Sequence, residues 1–168
     1  TVEKRTVCKA KGFALKSCRL RICIACSPGG HMVQARQLEG AYAMHDYFFF
    51  TFRGGVASEL KKTERVVAIP NIVKYNPISW FVGALLSLYH AFKERPDVVI
   101  TTGAGVVVFF CVFAKMFGAR LIFVESMAKI EKPTLTARML YPFSDLFLVQ
   151  WPQLQKYFPK AKFLGRVF

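Results

Sequence analysis

Apolar and polar positions along the chain follow two rhythms. Short unbroken apolar or aromatic runs occupy residues 21–26 (RICIAC), 46–52 (DYFFFTF), 66–69 (VVAI), 98–101 (VVIT), 121–124 (LIFV) and 145–149 (DLFLV). Runs of this length, rich in β-branched and aromatic residues and bounded by Gly or Pro, predict buried strands. Between them, residues 31–43, 77–92, 106–117 and 133–141 predict helices. Shorter helices or turns are expected at 56–62 and 153–158, and a last strand within 161–168. Strands that alternate with helices in this way predict an α/β fold, with five to seven mainly parallel strands and helices on both faces.

The stretch at 77–92, PISWFVGALLSLYHAF, has the clearest helical periodicity. On a 3.6-residue wheel Ile78, Phe81, Val82, Leu85, Leu88, Tyr89 and Phe92 share one face, which is expected to pack on the sheet. The reverse face carries Ser79, Trp80, Gly83, Ser87 and His90, with Leu86 at its edge. Asn76, Pro77, two serines and His90 make a poor membrane-spanning segment. The expected placement is a helix buried on one side and touching lipid headgroups on the other. Trp80 would sit at the interface, with Lys74, Lys93 and Arg95 flanking it. The alternative is a helix buried on both sides, the second by a partner.

The breaks between runs carry the candidate chemistry. Residues 27–31 (SPGGH) turn the first strand into a helix, and residues 101–105 (TTGAG) do the same after the fourth. A strand, a tight Gly-rich turn and a helix form the first unit of a Rossmann-like domain. The unpaired N–H groups at the helix start suit a phosphate, although SPGG also serves as an ordinary turn. No Gly-Lys-Ser/Thr follows, so this is not a nucleotide P-loop, and the G-x-G-x-x-G spacing of a dinucleotide site is missing. Turns at 27–31, 53–55, 101–105 and 125–132 all fall at the C-terminal ends of strands, where parallel sheets bind ligands. That edge gathers His31, Glu125 and Glu131 as reactive candidates and Arg53, Lys129, Lys132 and Arg138 as basic ones. A His or Glu can take a proton from a hydroxyl, and Arg or Lys can hold a diphosphate. His31 also reads as a helix-capping residue, whereas a carboxylate at a strand end, as at Glu125, needs a partner to be buried.

Composition narrows the partners. The 168 residues are 54% apolar, with 17 Phe, and carry a net charge of +14. Residues 1–20 form a basic arm with Lys4, Arg5, Lys9, Lys11, Lys16 and Arg19 against Glu3, and lack the apolar run of a signal peptide. Residues 21–168 form the expected domain. High apolarity with high positive charge favours a membrane surface, and no nucleic-acid-binding pattern is present. Cys8, Cys18, Cys23, Cys26 and Cys111 are read as reduced, with Cys23 and Cys26 in a strand and facing opposite ways. No metal-ligand spacing and no cofactor motif is seen.

The segments SPGGH at 27–31, TTGAG at 101–105, FVESMAKIEKPTLTARMLYPFSD at 123–145 and VQWPQLQKYFPKA at 149–161 together carry a resemblance. The chain resembles the acceptor-side subunit of split GT-B glycosyltransferases. These include bacterial PssD-type and CpsF-type exopolysaccharide proteins and the membrane subunit of the eukaryotic enzyme that adds the second GlcNAc to dolichol-diphosphate-GlcNAc. It is similar to the N-terminal half of MurG-type enzymes, over roughly residues 21–168. The resemblance implies transfer of a sugar from a UDP-sugar to a polyprenyl-diphosphate-linked sugar, at the cytoplasmic face of a membrane. The protein would be peripheral, or anchored by a segment absent from this sequence. A separate donor-binding chain would hold the UDP-sugar. His31 and Glu125 match the family's reactive positions. Gly29, Gly30, Arg53, Gly103, Gly105, Lys129 and Lys132 are expected to line the cleft or hold the acceptor diphosphate. SPGGH is shorter than the GGTGGH loop of the one-chain enzymes. The competing expectation is a non-catalytic scaffold that recruits the catalytic chain to the membrane.

Overall fold

A computed structural model of the chain describes residues 19–72, 76–105 and 107–165. Lys74 and most of the basic arm, Cys8 and Cys18 included, lie outside the described residues. Six parallel strands form one sheet: β1 (Arg21–Cys26), β2 (Asp46–Phe52), β3 (Val66–Ile69), β4 (Val98–Gly103), β5 (Arg120–Val124) and β6 (Leu146–Leu148). Their order is β3-β2-β1-β4-β5-β6. The chain therefore starts in the middle, winds outward to β3, crosses back and winds outward again to β6. The ends of β1 and β4, where the winding reverses, are neighbours, and such a switch point is where parallel α/β sheets bind ligands.

Helices α1 (Gly30–Gln37), α2 (Glu39–Tyr42) and α3 (Gly55–Leu60) follow β1 and β2. The helix expected over 31–43 is thus broken at Leu38, where the backbone turns between α1 and α2. Helices α4 (Pro77–Glu94), α5 (Val107–Met116) and α6 (Leu135–Leu140) follow β3, β4 and β5. Single turns of 3-10 helix cover Tyr141–Phe143 and Pro152–Lys156, the second in place of the helix expected at 153–158. The strand expected within 161–168 is reduced, among the described residues, to one bridge between Leu148 and Lys162.

Alternation along the strands builds a core on each face. Phe48, Phe50 and Phe52 of β2 join Cys23, Val99, Leu121, Phe123 and Phe147 under α4, α5 and α6. Phe49 faces the other way with Ile22, Ile24 and Cys26, under Met32, Ala35 and Tyr42. Cys23 and Cys26 are free and buried on opposite faces, as the strand period requires. Burial pushes the Cys26 and Cys111 thiols up to about 12, so both remain protonated and inert. At the base of the sheet the buried Glu94 carboxylate accepts from Arg21 at 2.6 Å and Arg65 at 2.7 Å, joining α4 to β1 and to the loop before β3.

Helix α4 packs the opposite way round from the sequence-based expectation. Its inward residues are Gly83, Ser87, Ala91 and Glu94, and Trp80 turns inward to stack edge-on against Phe109 of α5 at 5.9 Å. The predicted core face is outside: Ile78 is 72% exposed, Phe81 66%, Leu85 50% and Phe92 55%, with Val82, Leu88 and Tyr89 exposed beside them. Close approach of α4 to α5 and the sheet is the cause. Small residues on that side allow the close approach, and at Gly83 a Cβ would require the Ile72 side chain, in the loop before α4, to shift. Trp80 therefore packs, half-buried, against α5 instead of lying on an outward face as expected. Asn76 caps α4, accepting from the N–H groups of Ile78 and Ser79 at 3.0 and 3.3 Å.

Candidate functional site

Three turns at the C-terminal edge of the sheet are tied to one another. After β1, Gly29 adopts φ 96°, a left-handed conformation that favours glycine, and α1 starts at Gly30 without a side-chain cap. The first N–H groups of α1 therefore have no intrahelical or capping partner. His31 sits in that first turn, half-buried. Its carbonyl accepts the Thr102 hydroxyl of β4 at 3.2 Å, which locks the β1 turn against the end of β4. Burial pulls the His31 pKa below its usual value, so the imidazole is neutral at pH 7. Its Nδ1 is enclosed, and the Thr102 backbone beside the ring opposes the fall in pKa.

The β4 turn is closely packed. Thr101 Oγ1 accepts Gly103 N–H at 3.1 Å. Gly103 has φ 87°, and a Cβ there would meet the Phe123 ring at 3.4 Å and the Thr136 methyl at 3.7 Å. Gly103 thus brings the end of β4 against β5 and α6. Gly30 and Gly105 are exposed at the surface of this edge.

Glu125, just beyond β5, is fully buried. Its carboxylate accepts Ser126 N–H at 3.0 Å, Thr134 N–H at 3.3 Å and the Thr134 hydroxyl at 3.2 Å. Thr134 Oγ1 in turn accepts Ala137 N–H at 3.0 Å and caps α6. Glu125 therefore closes the loop 126–133 and fixes the start of α6. Burial raises its pKa; the hydrogen bonds and nearby Lys129 oppose that rise. Trp151 Nε1 donates to Met127 O at 2.8 Å and holds the same loop from the β6 side.

The structure brings His31, Gly103 and Glu125 into one connected edge through Thr102, Thr136 and Thr134. Among the described residues no hydrogen bond or ion pair links His31 to Glu125. Lys129 and Lys132 are exposed on the loop that Glu125 closes. Arg53 is exposed beyond β2, on the far side of β1 from β4, with its backbone N–H donating to Ile69 O at 2.8 Å. Glu131 is exposed on the same loop as Lys132, and Arg138, exposed on α6, lies 6.0 Å from the Tyr157 ring. Lys93 and Arg95 lie at the base of α4, over the rings of Tyr89 at 5.6 Å and Phe92 at 4.6 Å. Among the described residues no group of His, Cys, Asp and Glu is placed to hold a metal ion, and no helix is long and apolar enough to cross a membrane.

Sequence reasoning missed Thr102, Thr134 and Trp151. Thr134 carried a readable signal, a Thr three residues before the inward-facing Ala137, the spacing of an N-cap. Thr102 and Trp151 act through contacts 71 and 24 residues away in the chain, which no local pattern announces.

Residues 55–167 match the family described as "Oligosaccharide biosynthesis protein Alg14 like". A Rattus norvegicus protein named UDP-N-acetylglucosamine transferase subunit ALG14 is 32% identical over 102 residues, covering 53% of this chain and 47% of that protein. A Mus musculus protein of the same name is 27% identical over 180 residues, covering 88% of this chain and 83% of that protein. The chain spans about half or less of the rat, Yarrowia lipolytica and human relatives, 47%, 45% and 38% of their lengths. Among solved structures, Acinetobacter baumannii MurG superposes with a TM-score of 0.67 at 14% identity, over 80% of this chain and 42% of that one. A UDP-N-acetylglucosamine 2-epimerase from Rickettsia bellii superposes with a TM-score of 0.70 at 11% identity, over 89% of this chain and 45% of that one. At 14% and 11% identity these two likenesses speak to architecture and not to reaction.

Proposed function

The chain belongs to the family described as "Oligosaccharide biosynthesis protein Alg14 like", and from that membership we propose that it is the acceptor-side subunit of a UDP-sugar-dependent glycosyltransferase. The sugar is N-acetylglucosamine, in line with the names of its relatives. The acceptor is a polyprenyl-diphosphate-linked sugar, presented at the cytoplasmic face of a membrane. A second chain supplies the UDP-sugar site across the C-terminal edge of the sheet.

The observation that carries this reading is the half-buried, neutral His31 at the start of α1, fixed to β4 through Thr102. In the transfer, the acceptor hydroxyl attacks the anomeric carbon, the new glycosidic C–O bond forms, and the bond to UDP breaks. His31 accepts the hydroxyl proton on a ring nitrogen. UDP leaves with the electron pair of the broken bond, held by the partner chain. The uncapped N–H groups of α1, with Gly29 and Gly30, face the acceptor diphosphate, and Lys129 and Lys132 add positive charge. Glu125 acts through the loop it closes, because it is buried and already accepts from three donors of that loop. The outward apolar face of α4, with Lys93 and Arg95 at its lower end, supports peripheral contact with the membrane.

A second reading, recruitment of a catalytic chain without chemistry here, draws support from the same closure of Glu125. Reconstitution separates the two. The chain with its cognate donor chain should transfer N-acetylglucosamine from UDP-N-acetylglucosamine to a polyprenyl-diphosphate sugar, and the chain alone should not. His31→Ala should lower kcat in the complex by about 100- to 10,000-fold, with partner and acceptor binding retained. Near-native turnover by that variant leaves docking as the role of this subunit, and robust transfer by the single chain excludes the two-chain enzyme.

A further inference from the structure

Helix α6 carries large apolar residues on its outer side as well as its inner one. Its inward residues are Thr136, Ala137 and Leu140, while Leu135 is 74% exposed and Met139, one turn on, is 48% exposed. The loop before it exposes Ile130 at 47%, between Lys129 and Lys132. A large apolar residue at each of three outward positions, next to two cations, is a poor solvent face. This strip is also held rigidly. Glu125 and the Thr134 cap fix where α6 begins, Trp151 pins Met127, and Thr136 packs against Gly103 of the β4 turn. The strip therefore starts at the candidate edge and runs away from it down α6. Helices α4, α5 and α6 lie on the same face of the sheet, so it also runs beside the face offered to the membrane.

We propose that Ile130, Leu135 and Met139 bind the first isoprenoid units of the acceptor's lipid, while Lys129 and Lys132 meet its diphosphate. This rests on the acceptor reading above and specifies which part of the acceptor is recognised, and where. The order of chemistry along the strip matches the order along the ligand. The cations lie on the loop at the sheet edge, and the apolar side chains continue onto the outer face of α6. A diphosphate joined to a polyisoprenoid has that sequence of charge followed by branched hydrocarbon. A bilayer surface alone would not require the strip to begin at the reaction edge.

The test uses the complete two-chain complex in detergent, with acceptors of two, four and eleven isoprene units carrying the same diphosphate sugar. For the unaltered complex KM should fall as the chain lengthens and then level off. Leu135→Gln with Met139→Gln should raise KM for the longer acceptors about 30-fold, as expected for two apolar side chains lost from a contact. KM for the two-unit acceptor should rise only a few-fold, and kcat should be unchanged at saturation. Direct binding of a fluorescent four-unit polyprenyl diphosphate to the complex should weaken by a similar factor, which gives a readout independent of turnover. Met44→Gln, at an exposed apolar position before β2, should leave both measurements unaltered. Equal KM changes for short and long acceptors, or unchanged binding of the probe, overturn the proposal. Loss of the donor chain from the Leu135→Gln, Met139→Gln complex in a co-purification also overturns it and assigns the strip to the partner. If the unaltered complex makes no product from any acceptor, the acceptor reading itself has failed.

Discussion

Replacing Glu125 by alanine removes one acceptor group from three donors at once: Ser126 N–H, Thr134 N–H and the Thr134 hydroxyl. Water can reach half-buried Thr134, whereas Ser126 is buried at 7% exposure. One enclosed N–H left unsatisfied costs about 1–3 kcal/mol, and the emptied side-chain volume adds about 1 kcal/mol. Removing a buried charge returns part of this, because burial disfavours the ionised form, as the raised pKa shows. The expected net loss is about 2 kcal/mol, or a fall of about 4–8 °C in thermal midpoint for a domain of this size. Glu125→Gln fills the same space and keeps an acceptor for Ser126 N–H, so it should cost less. The pH dependence has a definite sign. With the folded-state pKa raised, the unfolded chain ionises first as pH increases and then binds fewer protons than the native state. The Glu125 contribution to stability therefore falls as pH rises from the ordinary glutamate range to the folded-state pKa, then stays level. The Gln variant should lack that decline in denaturant midpoints measured across acid to neutral pH. In the reconstituted enzyme a positioning role predicts less than about 10-fold loss of kcat for Glu125→Gln, against about 100-fold or more for a general base. An alanine variant that melts with the unaltered protein refutes the clamp. A Gln variant that keeps its midpoint and loses activity 100-fold makes Glu125 the base.

Further outcomes follow from the same geometry. Because burial lowers the His31 pKa, turnover should fall only below its ordinary value of about 6.5 as the imidazole protonates, and an acid limb centred above pH 7 in the rate profile would contradict its assignment as base. Phe81→Gln with Leu85→Gln should leave the thermal midpoint within about 2 °C and abolish flotation on vesicles. Trp80→Ala should instead cost about 2 kcal/mol through its lost packing on Phe109, and a destabilised α4 pair with an unaffected Trp80→Ala would reverse the orientation described for this helix. Gly83→Leu should cost about 1–3 kcal/mol by overpacking the seam against Ile72, measured by urea unfolding, and a neutral result would mean that the seam is loose.

The local grammar of the sequence determined the strands, their parallel arrangement and the edge at which chemistry collects. Unbroken apolar runs such as FFF in β2 have no stable place outside a doubly covered sheet, and Gly29 and Gly103 mark the turns because their left-handed backbone is costly for other residues. Hydrophobic periodicity also located α4 correctly and gave the wrong side of it. Periodicity states which face is apolar, but which face is covered depends on how closely the neighbours approach. The side turned to α5 and the sheet carries Gly83, Ser87 and Ala91, small residues that allow a close approach, so the larger apolar face was left outside. The role of Glu125 was likewise decided in three dimensions. A carboxylate at a strand end is visible in sequence, but whether it is open to a substrate depends on whether a loop returns to fill its acceptor positions, and here Ser126 and Thr134 do so. His31 shows the same division: its place at a helix start is local, while its neutrality comes from burial by neighbouring chain and its fixation from a β4 hydroxyl 71 residues away. Short-range sterics and side-chain alternation act within a few residues and are legible in order along the chain; packing, desolvation and long-range hydrogen bonds exist only once distant segments have met.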